Sequence, residues 1–104
     1  MPDQFDIFAN PDPKTADTHP YLAVLQSNQL RDLNTRIVAP LVPSKAIPGF
    51  DRVTPSISIG AKRYVMDVTN LGVVPTEILK RSIGNVETER YRIIAALDLV
   101  FTGI

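Results

Sequence analysis

Phe5 and Ile7 flank Asp6 in a short alternating run, and alternation of this kind places apolar side chains on one face of a strand. Residues 9–20, ANPDPKTADTHP, then supply prolines, Asn and Asp with no large apolar side chain, which predicts a loop. A second strand-like run follows from Tyr21 to Gln26. Arg36 to Val42 is β-branched but contains Pro40, which has no N–H for a ladder, so this segment is expected at an edge, a bulge or a strand end. Ile57 and Ile59 alternate before the turn at Gly60, and Tyr64, Met66 and Val68 alternate after it, the clearest hairpin in the chain. Gly49, Gly60, Gly72 and Gly84 recur at about the length of one strand plus one turn with no repeating side-chain pattern, and read as barrel punctuation.

Beyond Gly84 the period lengthens. Val86, Arg90, Ile93, Ile94, Leu97, Val100 and Phe101 fall on one side of a helix. Asn85 suits its N-cap, Glu87 and Glu89 sit in the first turn where the helix dipole favours anions, and Gly103 suits the C′ position. The expected architecture is a mainly β domain closed by one C-terminal helix, a single domain over residues 1–104.

Composition narrows the chemistry. The 104 residues include one histidine, no cysteine and no tryptophan, with eleven Lys plus Arg against eleven Asp plus Glu. The missing cysteines exclude a disulfide framework, a thiolate metal site and a cysteine nucleophile. His19 lies between Thr18 and Pro20 and is expected to be an exposed loop residue. No metal or cofactor site is expected. Zero net charge argues against a protein whose main business is binding phosphate backbones. Asp3 and Asp6 stand where a signal peptide requires positive charge, and no apolar run approaches the roughly 18 residues of a membrane span, so a soluble cytoplasmic domain without membrane contact is expected.

Gly-rich phosphate loops and nucleophile elbows are missing from the sequence. Glu87 and Glu89 are expected to be solvated helix stabilisers and not an acid–base pair. Lys62, Arg63, Lys80, Arg81, Arg90 and Arg92 have too little aromatic interleaving to predict a nucleic-acid surface. At the C-terminal end, Ala95, Asp98 and Thr102 form a second helical stripe, and Asp98 opposes the dipole by roughly 0.3–1 kcal/mol. The plain reading of Asp98 is an exposed residue, with Gly103 an ordinary cap.

The stretch from Ala95 to Ile104, AALDLVFTGI, resembles the end of the CcdB family, toxins of plasmid and chromosomal toxin–antitoxin modules that act on DNA gyrase. Gln4-Phe5, Tyr21-Leu22 with Val24, Gln26-Ser27, Arg36-Ile37-Val38 with Pro40-Leu41, Pro55 before Ile59-Gly60, and Val74-Pro75 are similar to that family's pattern in the same order. Residues 9–20 read as a lengthened loop. The resemblance implies an SH3-like β-barrel with a long C-terminal helix, assembled as a homodimer whose helices meet near the two-fold axis. It implies a non-enzymatic toxin that binds the gyrase A subunit and traps the cleaved DNA complex. A CcdA-like antitoxin would remove it, and the pair would repress their own operon with DNA contacted only through the antitoxin.

Carried over by position, the gyrase-binding residues would be Ser27, Gln29 and Leu30 after the second strand, and Asp98, Phe101, Thr102, Gly103 and Ile104 at the end. The family places an apolar residue at Gln29, an asparagine at Asp98 and a tryptophan at Thr102. An interface aromatic of this kind is typically worth about 2–4 kcal/mol on truncation, and an exposed ion pair from Asp98 returns only about 0–1 kcal/mol. Gyrase poisoning is therefore expected to be weakened, lost or retuned. Two alternatives follow. One is a diverged regulatory homologue that binds antitoxin without poisoning. The other is an endoribonuclease like the MazF and Kid toxins, which resemble this barrel, with Arg31, Arg36 or Arg63 near Thr35, Ser58 or Asp67 as candidates by composition.

Overall fold

The computed structural model describes residues 2–43 and 53–103, so Gly49 and Ile104 lie outside the described residues. Seven antiparallel strands build one nearly closed, barrel-like sheet. They are β1 (Asp6–Ala9), β2 (Tyr21–Val24), β3 (Thr35–Pro43), β4 (Ser56–Ile59), β5 (Lys62–Met66), β6 (Gly72–Pro75) and β7 (Gly84–Asn85). One helix, α1 (Arg90–Thr102), closes the described chain. This is the mainly β, SH3-like barrel with a C-terminal helix that the sequence predicts.

β1, β2 and β3 form a meander, with Phe8 opposite Leu22 and Ala23 opposite Ala39. Successive residues alternate between two apolar clusters. Ile7, Ala23, Ala39, Leu41, Ile57 and Met66 share the larger core with Ile93 and Ala96 of α1, while Phe8, Leu22, Val24 and Val38 pack on the other face under Leu79. The hairpin between β4 and β5 pairs Ile59 with Lys62 across Gly60 and Ala61, and Gly60 takes φ 60°. A left-handed φ at that corner is open to glycine at little cost. Tyr64 on β5 meets Tyr21 on β2 edge to face, with centroids 5.3 Å apart.

One strand expectation is corrected. β3 is the central strand of the sheet, paired with β2 along one side and with β6 and then β5 along the other. Pro40 is tolerated because it falls where β3 changes partner: the ladder to β6 ends at Val38 and the ladder to β5 begins at Leu41. The Pro40 carbonyl accepts the Asp67 N–H at 3.0 Å, so its nitrogen faces the gap between those partners, where no rung is lost.

The helix entry also differs. Asn85 Oδ1 accepts the Glu87 N–H at 2.8 Å, an Asx turn one residue ahead of Val86, which is the N-cap of a single 3-10 turn at Glu87–Glu89, and the α-helix begins only at Arg90. Gly103 ends the helix as expected, with φ 75° and its N–H on the Leu99 carbonyl at 3.1 Å.

Candidate functional site

Between β2 and β3, residues 27–34 have no regular ladder bonds, so their shape depends on other partners. Ser27 Oγ accepts the Gln29 N–H at 3.1 Å and opens a short 3-10 turn at Asn28–Leu30. Asn28 Oδ1 accepts the Gln4 N–H at 2.8 Å, tying the turn to the N-terminal segment. Gln26, buried, donates through Nε2 to the carbonyls of Leu30 and Thr35 and accepts the Ile37 N–H. Among the described residues the most buried polar side chain is Arg36, 2% exposed. Its Nε donates to the Pro2 carbonyl, Nη1 to Leu33 and Thr35 at 2.7 and 2.8 Å, and Nη2 to Arg31 at 3.1 Å.

A buried guanidinium is costly to desolvate and needs its donors satisfied. Here the acceptors are main-chain carbonyls, and the one ion pair among the described residues is Glu89 with Arg92. The consequence is that the connection is shaped by buried polar side chains while its apolar residues point outward: Leu30 is 50% exposed and Leu33 52%. Sequence reasoning missed this, because a polar residue in a strand pattern is expected at the surface. Nothing in the local pattern marks Arg36 as buried.

At the other end of the chain, α1 buries only Ile93 and Ala96 fully. Asp98, Thr102 and Gly103 are exposed, and Phe101 is 69% exposed. Val100 and Phe101, expected on the core stripe, are exposed instead, and Leu97 is the last helical residue packed against the larger core. The Thr102 hydroxyl donates to the Asp98 carbonyl at 2.6 Å, satisfying one of the last helical acceptors. The Asp98 carboxylate makes no ion pair among the described residues.

The expected binding residues thus form two exposed groups: Ser27, Gln29 and Leu30 on one turn, and Asp98, Phe101, Thr102 and Gly103 on the last helical turn. Ile104 lies outside the described residues. No hydrogen bond joins the groups directly. Both parent elements are instead tied to residues 2–6: Asn85 Nδ2, at the helix entry, donates to the Gln4 carbonyl at 3.2 Å, and Val86 N–H donates to the Phe5 carbonyl. Phe5, buried, holds a left-handed φ of 71° in this junction, with Arg90 over its ring at 5.7 Å. A bulky residue in that region costs about 1–2 kcal/mol, which the bonds to Val24 and Val86 and the burial of the ring offset.

The ribonuclease candidates are separated. Arg36 is enclosed with its donors committed to carbonyls, and Arg31 Nε is bonded to the Asn28 carbonyl. Arg63 and Ser58 do meet, Nη1 to Oγ at 3.4 Å, on the exposed hairpin. Asp67 Oδ1 instead takes the hydroxyl and N–H of Thr69.

His19 is half-buried, with its Nδ1 sharing a hydrogen bond with Thr18 Oγ1 at 2.8 Å. It lines a groove of about 390 Å³ above Leu22, Val38 and Pro40, between the 10–19 loop and β6. Asn10 organises that loop, donating through Nδ2 to Thr15 Oγ1 and the His19 carbonyl. None of the expected target-binding residues borders this groove. Among the described residues no group of His, Asp and Glu is placed to hold a metal, and no helix is long and apolar enough to cross a membrane.

The small antiparallel barrel with a C-terminal helix recurs among solved structures. One such structure, described as an endoribonuclease in complex with its cognate antitoxin from Mycobacterial species, superposes with a TM-score of 0.73 over 96% of this chain and 94% of that one, at 11% sequence identity. At that identity the likeness is one of fold. No curated protein matches the chain. The model of the CcdB family, described as CcdB protein, matches residues 4–103, and the chain belongs to that family. Membership places it on the toxin side of toxin–antitoxin pairs.

Proposed function

We propose that this chain is a cytoplasmic, homodimeric, non-enzymatic toxin that binds the A subunit of DNA gyrase and stabilises its cleaved complex with DNA. A CcdA-like antitoxin would neutralise it and supply the DNA contact when the pair represses its operon. The observation that carries the reading is the exposed last turn of α1, where Phe101 stands in solvent beside Asp98, Thr102 and Gly103 in a CcdB-family chain. A largely exposed aromatic at a helix end fits an interface anchor. Exposed Val100 on α1, and Ile37 opposite Val73 across β3 and β6, supply apolar surface for self-association.

The test is supercoiling and DNA cleavage by gyrase from the same host in the presence of purified protein. Inhibition with accumulation of cleaved DNA is expected; normal supercoiling at micromolar protein would remove the target assignment. Thr102→Trp, which returns the family's aromatic, should tighten gyrase binding by roughly 30-fold to 1,000-fold.

Thr102 also favours a second reading, a protein that binds antitoxin without killing. The threonine hydroxyl is occupied by the helix itself, so the position offers a partner little. Normal growth on expression without antitoxin, together with tight antitoxin binding, would select this reading. A ribonuclease is less well supported, since Arg36 is enclosed; the Arg63–Ser58 pair is what an RNA-cleavage assay would probe.

A further inference from the structure

The strand connection at residues 27–34 has more internal fixing than a surface turn requires. The carbonyls of Leu30, Arg31, Leu33 and Thr35 are each held by a buried side chain, Gln26 or Arg36, and Asn28 is held by the backbone of Gln4. Among the described residues every buried side-chain nitrogen and oxygen has a partner, so this network is closed. Leu33 N–H donates to the Leu30 carbonyl at 3.1 Å, which places two half-exposed leucines three residues apart on one compact turn. A loop built this way holds apolar side chains in water in a fixed arrangement.

Fixing a surface before binding removes the cost of ordering it during binding, about 0.5–1.5 kcal/mol for each immobilised side chain. Holding an apolar pair out of the core gains nothing for stability, since half-exposed leucines remove little area from water. It makes sense as presentation. We propose that Arg36 and Gln26 are positioning residues that hold Leu30 and Leu33 as a preformed apolar ridge, and that Leu33 is a target-contacting residue alongside Leu30. The inference rests on the proposed gyrase reading for the identity of the target, but the preforming of the ridge stands independently of it.

Two arms separate the possibilities. In the first, amide exchange is compared for the whole protein and for Arg36→Lys, which keeps the charge but gathers its donors on one nitrogen that cannot reach four spread carbonyls. A positioning role predicts faster exchange confined to amides 29–34, with Leu41 and Met66 unchanged; equal acceleration in the core, or none in the turn, overturns it. If Arg36→Lys fails to fold, Gln26→Met carries the same comparison.

In the second arm, binding to the isolated gyrase A subunit is measured for wild type, Arg36→Lys, Leu33→Ala and the double variant, corrected for the folded fraction. Each single change should weaken binding by about tenfold, and the double variant by clearly less than the product, because a ridge that is no longer held loses little more on truncation. Unchanged affinity, or strictly multiplicative losses, contradicts the proposal. If wild type does not bind, the gyrase reading fails while the exchange arm still decides whether Arg36 preforms the turn.

Discussion

The turn at residues 27–34 and the last turn of α1 both expose apolar side chains, yet they are built on opposite principles. The first is an irregular segment held by Arg36, Gln26 and Asn28 from inside. The second is regular helix whose own backbone bonds suffice, docked through Ile93 and Ala96 with Leu97 packed beside them, and bare at its last turn. The comparison teaches where mutational sensitivity lies. In the turn, buried polar residues control both stability and shape; in the helix, stability resides in Ile93, Ala96 and the adjoining Leu97, and the exposed end is free to change with the target.

That contrast can be broken in several ways. Ile93→Ala should cost most, about 2–5 kcal/mol of unfolding free energy, because it empties the point where the helix meets the core; a loss below about 1 kcal/mol in urea denaturation would mean that α1 is docked elsewhere. Arg36→Met should cost about 2–3 kcal/mol as carbonyls lose their donors, partly offset by removing a buried charge. A stabilising result would break the claim that the clamp holds the turn. Gly103→Ala should cost about 1 kcal/mol through the left-handed φ alone, since there is open space where its Cβ would sit; an unaffected melting temperature would show that the cap frays in solution.

Phe101→Ala should leave stability within about 0.5 kcal/mol while removing binding to the target. If it unfolds the chain, the helix end is part of the core after all. The smallest effect concerns Tyr64, whose phenol is pushed above the ordinary tyrosine value by burial and then by the neighbouring Tyr21 hydroxyl. A raised value favours the neutral phenol in the folded state. That contribution is fully present below the ordinary tyrosine value and is lost as pH rises through the folded value. Phenolate absorbance, assigned with Tyr64→Phe, should show late ionisation; ionisation at the ordinary value contradicts it.

Period-two runs made the sheet legible. Ile57 and Ile59 against Tyr64 and Met66 identify the β4–β5 hairpin because these alternate residues face the larger core and Gly60 marks the corner, although Val65 between them is buried as well. The helix was legible from its longer period and from Gly103, but its burial was not: a stripe that includes Val100 and Phe101 says which side is apolar, not how far the barrel extends beneath it. β3 was misplaced because Pro40 excludes a rung without saying that the strand changes partner there. The exposed candidates were available through family likeness at Ser27, Gln29, Leu30 and the helix end. Arg36 and Gln26 were not, since their burial follows from three separate segments, residues 2–6, 26–35 and β3, converging on one point.

The most direct test of the account is equilibrium binding of the purified chain to the isolated gyrase A subunit, with Phe101→Ala and Leu30→Ala measured beside wild type. The account predicts saturable wild-type binding that each substitution weakens by about tenfold or more at unchanged folded fraction. No wild-type binding, or binding indifferent to both substitutions, would contradict it.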